Sequence, residues 1–287
     1  MDTDELCIDR TLPGSCGVLG LGVFDGCHLA HQELAKHCDT LLSLFPHPRM
    51  VLGNESCQYL SMPEERKVFY ERSLVLRFTP EVATLSALSF LEKLCHQLSP
   101  TGFVVGYDFR FGHQREGDAS FLRDWAKDRG LSCRIVPCFR YHDTVVKSGV
   151  IRTAIREGKF DWAVTLLGHP YVVTGDVITG DGRGKSLGFP TANLSLAPEK
   201  LLPAPGVYAA RLISPFKDHS AIVYVGSKPT FSGKGQHLEV HVPNFEGSLY
   251  HQRLQLGLYK HIRDEKVFAS RDALISQIKQ DLEALST

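Results

Sequence analysis

Thr191 and Asn193 place two side-chain oxygens two positions apart, and in an extended segment such residues project to the same side. Oxygen pairs of this kind suit Mg2+, a hard cation that shares its ligands with nucleotide phosphates. Just upstream runs Gly180-Asp181-Gly182-Arg183-Gly184-Lys185. Gly180, Gly182 and Gly184 carry no Cβ, so main-chain N–H groups there can approach phosphate closely. Lys185 and Arg183 supply countercharge. Loop and Thr-x-Asn together read as a Mg-ATP site; the competing reading is a solvated turn, which the same residue types also favour. Downstream, Glu239 alternates with Leu238 and Val240, which puts its carboxylate on the opposite strand face from them. Taken alone, it reads as a solvated strand carboxylate.

A second constellation is Phe24-Asp25-Gly26-Cys27-His28-Leu29-Ala30-His31, which follows an apolar run and leads into a helix. Helix N-termini offer free N–H groups and a positive dipole end to anions. Two imidazoles there could hydrogen-bond phosphate oxygens as negative charge builds at an α-phosphorus. The competing reading is a pair of cap or surface histidines.

Different kinds of element must hold these two sets. In the N-terminal half, residues 17–24 predict a buried strand, 29–38 a short helix, and 40–45 a second strand stopped by Pro46-His47-Pro48. Helices are expected over 63–70, 86–98 and 118–129, the last ending at Gly130, with another short buried strand at 103–106. Strand-helix alternation predicts a parallel sheet covered by helices. In the C-terminal half, segments 207–212, 221–225, 238–242 and 254–258 read as strands separated by Gly/Pro turns. That pattern predicts a closed antiparallel barrel. The chain then runs into a helix capped by Ser270, with Leu274, Ile275, Ile278, Leu282 and Leu285 in one apolar stripe that packs on the barrel.

Bulk properties narrow the class. The 287 residues, 43% hydrophobic and 22% charged, suffice for two ordinary domains with proper cores. Lys+Arg and Asp+Glu both total 32, so no net charge draws the chain to nucleic acid. No apolar run approaches the ~20 residues that span a bilayer, and the acidic start does not read as a signal peptide. Eight cysteines, all within the first 138 residues, form no Cys-x-x-Cys pair. A zinc site is not expected, and a reduced, cytoplasmic setting is. The cysteine break agrees with a domain boundary near residue 160, giving domains 1–160 and 161–287.

From Leu167 through Asp281 the chain resembles the riboflavin kinase domain. The resemblance rests on Leu167-Gly168-His169-Pro170-Tyr171, Gly175-Asp176-Val177, the glycine loop and Gly188-Phe189-Pro190-Thr191-Ala192-Asn193. Further on it rests on Pro205-Gly206-Val207-Tyr208, Val225-Gly226-Ser227-Lys228-Pro229-Thr230-Phe231, Leu238-Glu239-Val240-His241 and Leu249-Tyr250. The N-terminal half resembles the adenylyltransferase module of the bacterial bifunctional riboflavin kinase/FAD synthetase family. It carries Phe24-Asp25-Gly-x-His28-x-x-His31, a variant of the His-x-Gly-His signature, and Val105-Gly106-Tyr107-Asp108-Phe109-Arg110-Phe111-Gly112. The resemblance implies a nucleotidyltransferase-type α/β domain followed by a Greek-key barrel. It implies riboflavin, FMN and ATP as substrates, with Mg2+. It makes Glu239 the kinase base, Thr191 and Asn193 the Mg-ATP ligands, and the 180–185 loop a cover for the phosphates. His28 and His31 would serve adenylyl transfer, with Phe24, Asp25, Asp108, Ser148 and Arg152 in the same site. Arg263 would lie in a flavin-side loop.

Several positions depart from the family pattern. Ala30 replaces the signature glycine, and Lys147-Ser148-Gly149-Val150-Ile151-Arg152 stands where Ser-Ser-Thr-x-Ile-Arg is usual. Lys147 can supply charge but accepts no hydrogen bond. Lys228, Asn244 and His251 stand where Arg, Asp and Gly are usual. The main expectation is an enzyme that makes FMN and then FAD, its adenylyl half altered. The alternatives are a riboflavin kinase with a vestigial N-terminal module, a flavin- or nucleotide-binding regulator without turnover, and a nucleotidyltransferase acting on another substrate.

Overall fold

The computed structural model describes residues 5–9, 15–53, 58–179, 184, 187–217, 219–226 and 237–285. Two compact units divide the chain, residues 1–148 and 149–287.

The first unit is built on a six-stranded sheet. Its strands are β1 (Ile8–Asp9), β2 (Val18–Gly22), β3 (Thr40–Phe45), β4 (Ser73–Arg77), β5 (Gly102–Gly106) and β6 (Ser132–Val136). Their spatial order is β1-β4-β3-β2-β5-β6. β2 to β6 are parallel, and β1 joins the edge antiparallel to β4. Strand alternation sends Leu42, Phe103 and Val105 to one face, under helices α2 (Ala87–Leu98) and α3 (Ala119–Lys127). It sends Leu41 and Val104 to the other, with Leu34 of a preceding helix, α1 (Leu29–Ala35). A parallel sheet must be covered on both faces, and this one is.

The helix expected over 63–70 is a single turn, Pro63–Arg66. Two side-chain caps open the longer helices: Ser86 accepts from the Ser89 N–H and Asp118 from the Phe121 N–H. The strands β4 and β6 carry too little pattern to be expected.

In the second unit, α4 (Ser148–Arg156) and α5 (Phe160–Leu167) precede a closed barrel. The barrel strands are β7 (Tyr171–Ile178), β8 (Ala192–Leu196), β9 (Gly206–Ser214), β10 (Ser220–Gly226), β11 (His237–His241) and β12 (Arg253–Asp264). The closed order is β7-β8-β11-β10-β9-β12, with every pair antiparallel. Since β9, β10 and β11 are successive neighbours and β12 returns beside β9, the connection is a Greek key. Leu238, Val240, Leu254, Leu256 and Leu258 have no exposed surface; they are the inward half of the alternation. The ring of Phe160 from α5 meets Tyr208 at 4.8 Å and Tyr171 at 6.3 Å.

The last helix, α6 (Arg271–Glu283), is capped by Ser270 as expected, its hydroxyl accepting from the Ala273 N–H at 3.2 Å. Its apolar stripe is only half-buried. The most deeply buried position of α6 is polar, Asp281, 3% exposed. Its carboxylate takes a bidentate grip from Arg263 of β12, Nε to Oδ1 at 2.9 Å and Nη2 to Oδ2 at 2.8 Å.

Candidate active sites

In the barrel, backbone register assembles the first site. Asn193 on β8 pairs with Glu239 on β11, and Glu239 pairs with Tyr224 on β10. Directly opposed residues share a face, so the three form a row on the outside of the barrel. Thr191, just before β8, donates its hydroxyl hydrogen to Glu239 Oε2 at 3.0 Å. Residues 48 positions apart in the chain thus meet in one hydrogen bond. The hydroxyl that donates to Glu239 keeps its oxygen lone pairs for a cation. Gly184 lies directly against Thr191. A Cβ there would stand 2.4 Å from the Phe189 carbonyl oxygen and 3.0 Å from Thr191 Oγ1. Gly180, Gly182, Lys185 and Arg183, together with Lys228, lie outside the described residues.

The second carboxylate oxygen of Glu239 is also engaged. His237 Nε2 lies 3.2 Å from Oε1. His241, on the other side, donates from Nδ1 to the Pro190 carbonyl at 2.8 Å and meets the ring of Phe189 edge-on. His237, Glu239 and His241 therefore line one face of β11, as a period of two requires. The Tyr224 hydroxyl donates to Glu265. Burial first, then that hydrogen bond, pushes the phenol well above its usual range.

Register carries the row on through Val207 to Arg263. Arg263 thus joins the row that contains Glu239, from within β12 rather than from a loop. Its guanidinium, however, is engaged by Asp281 rather than turned toward a ligand, and the pair is 14% and 4% exposed. Asp281 has no sequence signal beyond interrupting an apolar stripe.

In the first unit the strand order reverses between β2 and β5, the place where open α/β sheets bind ligands at their carboxyl ends. A cavity of about 1120 Å³ opens there. Phe24, His28 and His31 after β2 line it, with Asp108 after β5 and with Lys147 and Ser148. His28 is the N-cap residue of α1 but makes no side-chain cap bond. Its ring stacks on His31 instead, with centroids 3.6 Å apart and planes 16° from parallel. Phe24, at φ 52°, turns the chain out of β2 and sets its ring edge against His31. Ala30 also lines the cavity.

Asp25 is placed differently from expectation. It is 1% exposed and is not among the lining residues. Its Oδ1 accepts the Ser61 N–H at 2.9 Å, while Ser61 Oγ accepts the Gly26 N–H at 2.7 Å. Arg66, itself buried, donates to Ser61 Oγ and to its carbonyl. Asp25 therefore holds the histidine loop from behind; the supporting Ser61 and Arg66 carry no sequence signal. Ser148 donates its hydroxyl to the Asp25 carbonyl at 2.8 Å. Arg152 follows one turn later in α4 and falls in the second unit. Lys147 Nζ lies 3.0 Å from Asp108 Oδ2, with both side chains about half exposed. Hydrogen bonding to Tyr107, and then to Asp108, raises the Lys147 ammonium above its usual range.

A switch-point cavity lined by two histidines and a polar row on the outside of a Greek-key barrel are the candidate sites of a two-module transferase. Comparison with known proteins narrows it. Residues 14–150 match the family model for FAD synthetase and residues 167–287 that for riboflavin kinase. Bifunctional riboflavin kinase/FMN adenylyltransferases from Listeria monocytogenes, Bacillus subtilis and Escherichia coli are each 32% identical to this chain. Each alignment covers 92% of this chain and 90% of the relative. A crystal structure described as a macrolide-efflux protein from Streptococcus pneumoniae superposes with a TM-score of 0.83 at 28% identity, covering 96% of this chain and 95% of that one. Among the described residues no helix is long and apolar enough to cross a membrane. The chain belongs to the bifunctional riboflavin kinase/FMN adenylyltransferase family.

Proposed function

We propose that Thr191, Asn193 and Glu239 perform the riboflavin phosphorylation of this bifunctional enzyme, and that the cavity of the first unit adenylates the FMN so made. The kinase reading rests on one observation, the meeting of Thr191 and Glu239 at 3.0 Å beside Asn193. Glu239 orients the 5′-hydroxyl of riboflavin and takes its proton as the oxygen bonds to the γ-phosphorus, with ADP leaving in line. The hydroxyl of Thr191 and the amide oxygen of Asn193 are the hard donors that suit Mg2+. No cluster of three or more His, Cys, Asp or Glu side chains suited to a metal occurs among the described residues. Mg2+ held there would share its coordination with the nucleotide's own phosphates and neutralise their charge. Gly184 leaves the Thr191 hydroxyl uncrowded on the side where a Cβ would stand.

In the first unit, His28 and His31 are the candidates to bind phosphate oxygens of ATP while an FMN phosphate oxygen attacks the α-phosphorus and pyrophosphate leaves. Phe24 and Ser148 shape that site, and Asp25 positions the loop. The match of both modules, and of bifunctional relatives along nearly the whole chain, disfavours a vestigial adenylyl module. We assign residues 1–160 to adenylyl transfer and 161–287 to the kinase. None of the seven described cysteines is in a disulfide, which fits a reducing cytoplasm. The test is to incubate the protein with riboflavin and Mg-ATP and to separate riboflavin, FMN and FAD over time. FMN should appear first and FAD after it; absence of FMN would reject the kinase assignment.

A further inference from the structure

His237 is not among the residues the family resemblance singles out, yet it contacts the proposed base. We infer that His237 is a positioning residue for the kinase reaction, holding the Glu239 carboxylate in the orientation that receives the substrate proton. This rests on the reading of Glu239 as base. The geometry is specific. A carboxylate only accepts hydrogen bonds, so the 3.2 Å contact with Oε1 assigns the ring hydrogen to Nε2 of His237. Thr191 donates to the other oxygen at 3.0 Å. With a donor on each oxygen, one from the residue before β8 and one from β11, the carboxylate plane is fixed at two points.

The imidazole is itself seated. Register sets Gly226 of β10 opposite His237 of β11. A Cβ at Gly226 would stand 2.2 Å from the ring Cε1 and 2.7 Å from Nδ1. The ring therefore occupies the space that the missing side chain leaves. Tyr224 flanks it edge-on, with centroids 5.5 Å apart at 74°, and the Tyr224 hydroxyl is held by Glu265. The His237 side chain is 20% exposed. This is a packed support rather than a surface histidine that happens to lie near an acid. Misplacing a reacting group by about 1 Å can cost on the order of 10²-fold in rate, so a residue that touches only the base can still control turnover.

The experiment compares riboflavin phosphorylation and FMN adenylylation in the full chain for His237→Ala, His237→Gln, Gly226→Ala and Glu239→Gln. His237→Ala should lower kcat for phosphorylation about 10- to 50-fold, with KM for riboflavin and ATP within threefold of wild type. His237→Gln, whose amide can donate from near the Nε2 position, should recover most of that loss. Gly226→Ala keeps the imidazole but takes its seat, and should reproduce the kcat defect. In a Glu239→Gln background, His237→Ala should add less than twofold, because the two residues act as one unit. Adenylylation should be unchanged throughout, and the urea midpoint of the second unit, which carries all four substitutions, should stay at the wild-type value, showing that the barrel is folded. A His237→Ala enzyme with wild-type kcat, a loss confined to KM, or a multiplicative loss on top of Glu239→Gln would each overturn the inference. Full activity in Glu239→Gln would remove the base assignment and this inference with it, whereas an inactive Glu239→Gln beside an unimpaired His237→Ala would remove the inference alone.

Discussion

The two sites are built by different means. In the barrel, backbone ladders do the positioning: Asn193, Glu239 and Tyr224 are neighbours because three strands pair in one register. In the first unit, side-chain hydrogen bonds do it. The histidine loop is held by Asp25 to Ser61, Gly26 to Ser61 and Ser148 to Asp25. A ladder fixes a side chain's face through bonds that no side-chain substitution removes, whereas a loop depends on particular hydroxyls and carboxylates. The departures from the family pattern fall differently on the two sites. Of those in described positions, Ala30 and Lys147 line the loop-built cavity and Gly149 adjoins it in sequence, whereas Asn244 and His251 of the second unit lie outside the Thr191, Asn193 and Glu239 set. The barrel keeps Thr191, Asn193 and Glu239. Where the usual serine hydroxyl is replaced by Lys147, the ammonium rests on Asp108 in a half-exposed pair. Such pairs are worth no more than about 1 kcal/mol.

The contrast can be broken most sharply at Glu239. Glu239→Ala is expected to lower riboflavin phosphorylation by roughly 10²–10⁴-fold, the usual scale for removing an acid/base group. FMN adenylylation should be untouched, because His28, His31 and the other residues that line its cavity belong to the other unit. Parallel assays on one preparation decide it; equal losses in both reactions would mean that the barrel change has unfolded or coupled the whole chain. The reciprocal variant is His31→Ala. Removing one donor to developing phosphate charge should cost about 10²- to 10³-fold in FAD formation, with phosphorylation intact. A small effect on FAD formation would show that the stacked imidazoles are packing and that the cavity works through other groups.

A third change tests the barrel's rigidity rather than its chemistry. Asp281→Ala strands the guanidinium of Arg263, only 14% exposed, without its carboxylate. Breaking one side of a buried pair typically costs about 3 kcal/mol or more. Urea unfolding of the variant should show that loss in the transition of the second unit. Because Arg263 ends the register row that contains Glu239, phosphorylation should fall with it. An unchanged midpoint would mean that Arg263 finds another partner, and would free it for the flavin-side role expected from the resemblance.

How much of the fold and of the two sites is legible in the amino-acid sequence depends on the range of the signal. Alternation of Leu238, Val240 and Val242 places Glu239 on the outer face, and the same period places His237 beside it, so that residue lies within reach of simple counting. The Ser270 and Ser86 caps and the strand Thr40–Phe45 are equally local. The opposition of Gly226 to His237, and of Asn193 to Glu239, is not local, because register between strands is set by the closed Greek key. Nor is the grip of Arg263 on Asp281, which joins a strand to a helix 18 residues away. The inward turn of Asp25 is hidden for a related reason. A motif names a residue type, and whether its carboxylate faces a ligand or the Ser61 amide depends on a segment 36 residues on.

The smallest expected effect concerns a departure that the structure explains. His251 stands where glycine is usual, and its φ is 62°. It lies in a turn in which the Gln252 N–H reaches the Leu249 carbonyl at 3.2 Å. A left-handed backbone costs a residue with a Cβ roughly 1 kcal/mol, and glycine nothing. Glycine in turn loses more conformational freedom on folding, by roughly 0.5–1 kcal/mol. The two terms nearly cancel, so His251→Gly should shift stability by less than about 1 kcal/mol, on the stabilising side if strain exceeds entropy. Asn244, at φ 55°, supplies the control, since asparagine tolerates this region better than histidine. Asn244→Gly should therefore gain less than His251→Gly in the same urea titration. The reverse order would mean that the left-handed turn is not what makes glycine usual at 251.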